Sequence, residues 1–129
     1  MLIQLDEESM QRLIWYKYSR GENIKQRLKT LNGKLKKCGY TNIEDCNEND
    51  LDTIQDCMEL ITEYWATATN LEQLKHSYES KEYTLSIDED KYELLLDEMQ
   101  DTLEYNESME KYEQCKELAL LFKSLKSAV

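Results

Sequence analysis

From Ser86 to Val129 the chain holds its longest stretch without a credible break, and apolar residues recur along it at helical spacing. Tyr92, Leu95, Leu96, Met99, Leu103, Met109, Tyr112, Cys115, Leu118, Leu121, Phe122 and Leu125 form the stripe. Such a stripe requires a partner surface. A helix of about 40 residues is a rod of roughly 60 Å, too long for a compact globule to sheathe. The economical expectation is an all-α, elongated antiparallel three-helix bundle of coiled-coil type. Ser86, followed three residues later by Glu89, predicts a capping box at the start of the third helix.

The rest of the chain supplies two further rods. Met10, Ile14, Gly21, Ile24, Leu28, Leu31, Leu35 and Cys38 step by threes and fours, with Lys17 the charged exception. Leu51, Ile54, Met58, Ile61, Trp65, Ala68, Leu71, Leu74 and Tyr78 do the same, and Cys57 and Tyr64 widen that seam. Helices are expected over about 6–38, 49–80 and 87–127 of a single domain, with candidate kinks near Gly21 and Thr69. Gly39 is the expected cap of the first helix, and Thr41 to Glu44 a short helical turn in the connector. Counting from the turns puts Gly21 level with Trp65, the missing side chain making room for the largest one. The absence of proline and the presence of only three glycines leave too little punctuation for a many-stranded sheet.

Charge is divided unequally along the chain. Residues 1–37 hold nine Lys or Arg and four acids, net +5; residues 38–129 hold seven bases and 23 acids, net −16, which makes the total −11. A solvated basic helix that neutralises its acidic neighbours is the plain reading. Lys25, Arg27, Lys29, Lys34, Lys36 and Lys37 are the candidate phosphate contacts if the first helix binds nucleic acid. The net negative charge and the lack of interleaved aromatics disfavour that. The third helix carries acids in rows, and Asp97, Asp101 and Glu104 are candidate contacts for the basic groove of a nucleic-acid enzyme, as a DNA mimic. Trp15, Tyr16 and Tyr18 are candidate protein contacts, because Trp and Tyr are enriched at binding hot spots.

Catalysis finds little support. His76 is the single histidine, and no Gly-rich phosphate loop, HExxH, EF-hand or Glu-x-x-His motif occurs. The spacing of Cys38, Cys46, Cys57 and Cys115 matches no zinc pattern, so buried reduced thiols are expected, with a Cys57–Cys115 disulfide or a four-cysteine metal site as alternatives. No catalytic residue, cofactor or metal ligand is assigned. No apolar run approaches the roughly 18 residues of a membrane span and Met1–Leu5 is too short for a signal peptide, so a cytoplasmic location is expected. The Asn106-Glu107-Ser108 sequon is then without use.

Residues with AT-rich codons (Phe, Tyr, Met, Ile, Asn, Lys) number 42 against 10 for Gly, Ala, Arg and Pro, an alphabet that fits a low-GC bacterium or its phages. Together these features predict a non-enzymatic helical inhibitor or adaptor of phage or mobile-element type. Its partner would be a protein, for instance host nucleic-acid machinery in an anti-defence role, and it would act as a monomer or homodimer. The alternative is a self-associating coiled-coil assembly protein.

Overall fold

The computed structural model describes residues 1–37 and 48–128, with side chains placed for 1–33 and 51–128. The fold is all-α apart from a small antiparallel ribbon. In chain order it comprises β1 (Leu2–Gln4), α1 (Glu7–Lys37), α2 (Glu48–Glu79), β2 (Thr84–Ser86), α3 (Glu89–Ser108) and α4 (Tyr112–Ser127). Among the described residues no helix is long and apolar enough to cross a membrane. The expected helical turn at Thr41–Glu44, the cap at Gly39, and Cys38 and Cys46 lie outside the described residues. Contacts group the chain into two compact units: Met1–Tyr16 with Glu72–Val129, and Lys17–Leu71.

The first unit holds the main core. Ile3, Met10, Leu13, Tyr16, Leu74, Tyr92, Leu95, Met99, Leu118, Leu121 and Leu125 are buried together. The ribbon that the sequence did not announce closes one side of it. Leu2, Ile3 and Gln4 pair with Ser86, Leu85 and Thr84, and Leu5 N–H donates to Tyr83 O at 2.7 Å. Alternation along β1 sends Ile3 inward while Leu2 and Gln4 stay exposed. Asp6 then starts α1: its Oδ1 accepts the Ser9 N–H at 2.7 Å and its carbonyl accepts the Met10 N–H.

The ribbon also overturns the predicted capping box. Ser86 is committed to β2, opposite Leu2, and the Ile87 N–H donates to Met1 O. Helix α3 therefore starts later, at Glu89 with Asp88 as N-cap, and no side chain caps it.

The expected third rod over 87–127 is two helices, so the described residues form four helices and not three rods. At the end of α3, Glu110 takes a left-handed φ of 59°, its N–H donates to Glu107 O, and the Lys111 N–H donates to Asn106 O. These two bonds are a Schellman stop. The same device ends α2, where Lys81 has φ 58°, its N–H donates to Tyr78 O, and the Glu82 N–H donates to Ser77 O. Neither stop uses glycine, the residue that would have signalled it. Beyond Glu110 the chain reverses and α4 packs antiparallel on α3, with the Tyr92 hydroxyl donating to Leu125 O at 3.4 Å and the Cys115 thiol 3.8 Å from Leu103 O.

The second unit is an antiparallel pair of helix segments. Among its described side chains, Ile24, Cys57, Leu60 and Thr67 are buried. Arg20 of α1 pairs with Glu63 of α2, and the Lys25 ammonium lies 5.8 Å from the centroid of the Tyr64 ring. Helix α1 runs through Gly21 and α2 through Thr69 without interruption. Thr62 and Thr69 satisfy their hydroxyls on the carbonyls one turn back, Met58 O and Trp65 O, and so sit inside the helix.

Helix α2 faces inward along a different seam from the expected one. Of the expected seam Cys57 and Leu74 are buried, but Leu60 and Thr67 join them, whereas Leu51, Met58, Ile61 and Trp65 are exposed. Gly21 accordingly does not face Trp65. Its neighbour across the helix pair is Thr67, and Trp65 is 65% exposed. The small side chain of Thr67, opposite Gly21, occupies the place that an inward indole would need.

Candidate interaction surface

The acidic candidates come together on α3. Asp97, Asp101 and Glu104 are all exposed, and steps of four and three residues put them on one side of the helix. By the same periodicity Asp90, Glu93, Leu94, Tyr105 and Ser108 share that side. Lys91, the one base in α3, lies about a third of a turn away from Asp97. Gln100 Nε2 donates to Glu104 Oε1 at 3.3 Å, and among the described residues no ion pair engages Asp97 or Asp101. Leu94 and Tyr105, exposed at either end of the row, fall outside the apolar stripe of the sequence and carry no motif that singles them out.

The aromatic candidates divide. Trp15 and Tyr18 are exposed, but Tyr16 is 2% exposed and belongs to the core around Met10 and Leu13. Leu13 and Tyr16 are buried beside Met10 and Ile24 of the expected seam, while Ile14 is only partly buried. Tyr16 is therefore a core residue and not a contact residue.

Of the basic candidates, Lys25 is answered locally. Lys25 Nζ lies 3.6 Å from Glu22 Oε1, and Glu22 first, then Tyr64, holds the ammonium above its ordinary pKa. Arg27 borders a cleft of about 460 Å³ together with Leu31, Asp56, Glu59, Leu60 and Glu63. Two leucines and three carboxylates make this a charged groove, unlike the mostly apolar pockets that hold small molecules. Lys29 is exposed, and the side chains of Lys34, Lys36 and Lys37 lie outside the described set. Elsewhere on α1, Arg12 Nε lies 2.9 Å from Glu117 Oε2 of α4, with Glu8 at 4.0 Å from Arg12 Nη2. These pairings match the plain reading of a basic helix that neutralises acidic neighbours.

The remaining perturbed groups have structural causes and do not converge. The Ser9 hydroxyl and then the Ser9 N–H hold the Asp6 carboxyl below the usual carboxylate range, with Arg12 adding to this. Burial raises the Cys57 thiol, helped by Asp56, and burial raises the Tyr92 phenol. Tyr83 is raised by burial, then by Glu7 and Tyr78. Beside it, Gln11 Nε2 donates to the Tyr78 hydroxyl at 2.6 Å, which donates in turn to Glu7 Oε1. Cys57 and Cys115 are both buried and free, so the alternative Cys57–Cys115 disulfide is not formed. Asn106 of the sequon is also buried. Among the described residues no group of His, Cys, Asp or Glu is placed to hold a metal ion.

No protein-family model, curated protein or solved structure significantly matches this chain.

Proposed function

We propose that the chain is a non-catalytic protein-interaction protein that docks the acidic outer side of α3 on a basic surface of a partner protein. The nucleic-acid-binding groove of a host enzyme is the kind of site that matches, and the AT-rich alphabet fits a phage or mobile-element inhibitor or adaptor. The observation that carries the reading is the exposed row Asp97, Asp101, Glu104, without a base on its side of the helix and with Leu94 and Tyr105 available as apolar anchors. Such a row steers a basic partner at long range and is worth more to association rate than to stability. Its charge density is roughly one per 5 Å, against one per ~1.7 Å of duplex axis, so it imitates a few phosphates and not a whole duplex.

The test is capture of host proteins on immobilised chain, comparing wild type with a variant carrying Asp97→Lys, Asp101→Lys and Glu104→Lys. A partner retained by wild type at low salt, released at high salt and lost by the variant is the expected result. Equal retention by both chains would remove the acidic side from the account. Thermal melts within a few degrees of each other keep the comparison fair, because each exposed pair contributes only about 0–1 kcal/mol to folding.

A further inference from the structure

We propose that the outward stripe of α2 is a homodimer interface, in which a second copy of this chain packs antiparallel on Leu51, Ile54, Met58, Ile61, Trp65 and Ala68. These six positions follow a strict three-four alternation, the a and d pattern of a helix seam. Yet Leu51 is 43% exposed, Met58 64%, Ile61 45% and Trp65 65%. The stripe lies about 120° around the helix from the seam of Cys57, Leu60 and Thr67 that meets α1. Helix α2 is thus apolar on two sides while α1 covers one of them. The core of this unit is thin, with Ile24, Cys57, Leu60 and Thr67 its buried residues among those described, and a further packed helix would thicken it.

Charge identifies the occupant. Between Leu51 and Leu71 every acid, namely Asp52, Asp56, Glu59 and Glu63, lies on the far side of the helix from the stripe. The exposed neighbours within the stripe are Gln55, Thr62 and Thr69, all uncharged. In a chain that is 33% charged with net charge −11, this is a surface against which another copy of itself can lie without like-charge opposition. Between Leu51 and Leu71 a basic partner would find no carboxylate to pair with, the next acid on that side being Glu72 beyond the stripe.

Area and shape agree with a second copy. The four exposed side chains present on the order of 500 Å² of apolar surface, near the upper end of the largest patches on monomers. With about 60% of an interface apolar, that corresponds to roughly 800 Å² per partner, the standard size. Antiparallel pairing sets a positions against d positions, so Leu51 meets Ala68, Ile54 meets Trp65 and Met58 meets Ile61, with large residues against smaller ones. Parallel pairing would oppose two Trp65 indoles and leave a void between two Ala68 methyls. The contact is two-fold and closes on itself, giving dimers and not filaments.

This inference does not depend on the acidic side of α3, and salt separates the two. Salt weakens docking of an acidic row on a basic partner, whereas screening two chains of like net charge leaves the dimer unchanged or tighter. The experiment is sedimentation velocity of the full chain over a thousandfold concentration range, at 50 and 500 mM salt, for wild type, Trp65→Glu and Met58→Glu. Wild type should show a monomer–dimer equilibrium that salt does not weaken, and each substitution should weaken it at least tenfold. Far-UV circular dichroism serves as the folding control, and the two substituted side chains are exposed in the single chain. A wild type that stays monomeric throughout, forms larger species, or dimerises equally well with both substitutions overturns the proposal. Orientation is read by mixing a Leu51→Cys chain with an Ala68→Cys chain under mild oxidation. Cross-linking in the mixture beyond that of either chain alone, or of wild type, supports antiparallel pairing, and cross-linking of the Leu51→Cys chain to itself overturns it.

Discussion

Gly21 of α1 stands opposite Thr67 of α2, where a β-carbon added to the glycine would lie 4.0 Å from Thr67 Cγ2. That is ordinary van der Waals contact, so alanine fits where the helices are close. Gly33, further along α1, has nothing within 4 Å of an added β-carbon. Neither glycine serves a turn, and each costs the helix backbone entropy. Gly21→Ala and Gly33→Ala should each stabilise the chain by about 0.5–1 kcal/mol, measured by urea unfolding. A loss of stability in Gly21→Ala would mean that the helices pack more tightly here than the 4.0 Å approach allows.

The opposite substitution is favourable at the stop of α3. Glu110 holds φ at 59°, a conformation that costs an L-residue roughly 1–2 kcal/mol and glycine almost nothing. Glu110→Gly should therefore raise stability by about 1 kcal/mol despite adding backbone freedom to the unfolded chain. If α3 and α4 were one rod, the same change would sit inside a helix and lower stability by a similar amount, so the sign of the shift in urea midpoint decides between the two.

The cap of α1 gives a pH signature. The folded Asp6 carboxyl titrates below its ordinary value because Ser9 and Arg12 favour the charged form. Its stabilisation is therefore present in full above the unfolded pKa, about 3.9, and is lost as pH falls through the lower folded value. Asp6→Ala should lower Tm at pH 7, and the gap to wild type should shrink as pH falls below about 4. A gap that does not vary with pH would show that the carboxylate charge has no part in the cap.

Core and outward positions should separate cleanly. Leu121 is fully buried in the first unit, and Leu121→Ala should cost about 2–5 kcal/mol. Trp65→Ala, measured at concentrations low enough to keep the chain monomeric, should cost under about 1 kcal/mol, because most of the side chain already meets water. A Trp65→Ala cost of several kcal/mol in the monomer would return the indole to the core.

What was legible in the sequence follows from local rules. Uninterrupted three-four apolar spacing and the scarcity of glycine and proline made the chain helical, because they constrain each segment whatever surrounds it. The same holds for the row of Asp97, Asp101 and Glu104, which shares one side of any helix that contains it. The stop at Glu110 was not legible, since its left-handed position is filled by a residue that signals a continuing helix, whereas α2 ends at Glu79, next to the expected boundary at residue 80. Nor was the ribbon, because three residues of β1 find their partners eighty or more positions away. The facing of α2 was decided by tertiary structure alone. Periodicity selects the more apolar stripe, through Met58, Ile61 and Trp65, whereas packing against α1 selects the side with Cys57, Leu60 and Thr67. Thr67 stands opposite Gly21 only once the helices dock, and no local rule tells the side of α2 that docking covers from the more apolar side that it leaves exposed.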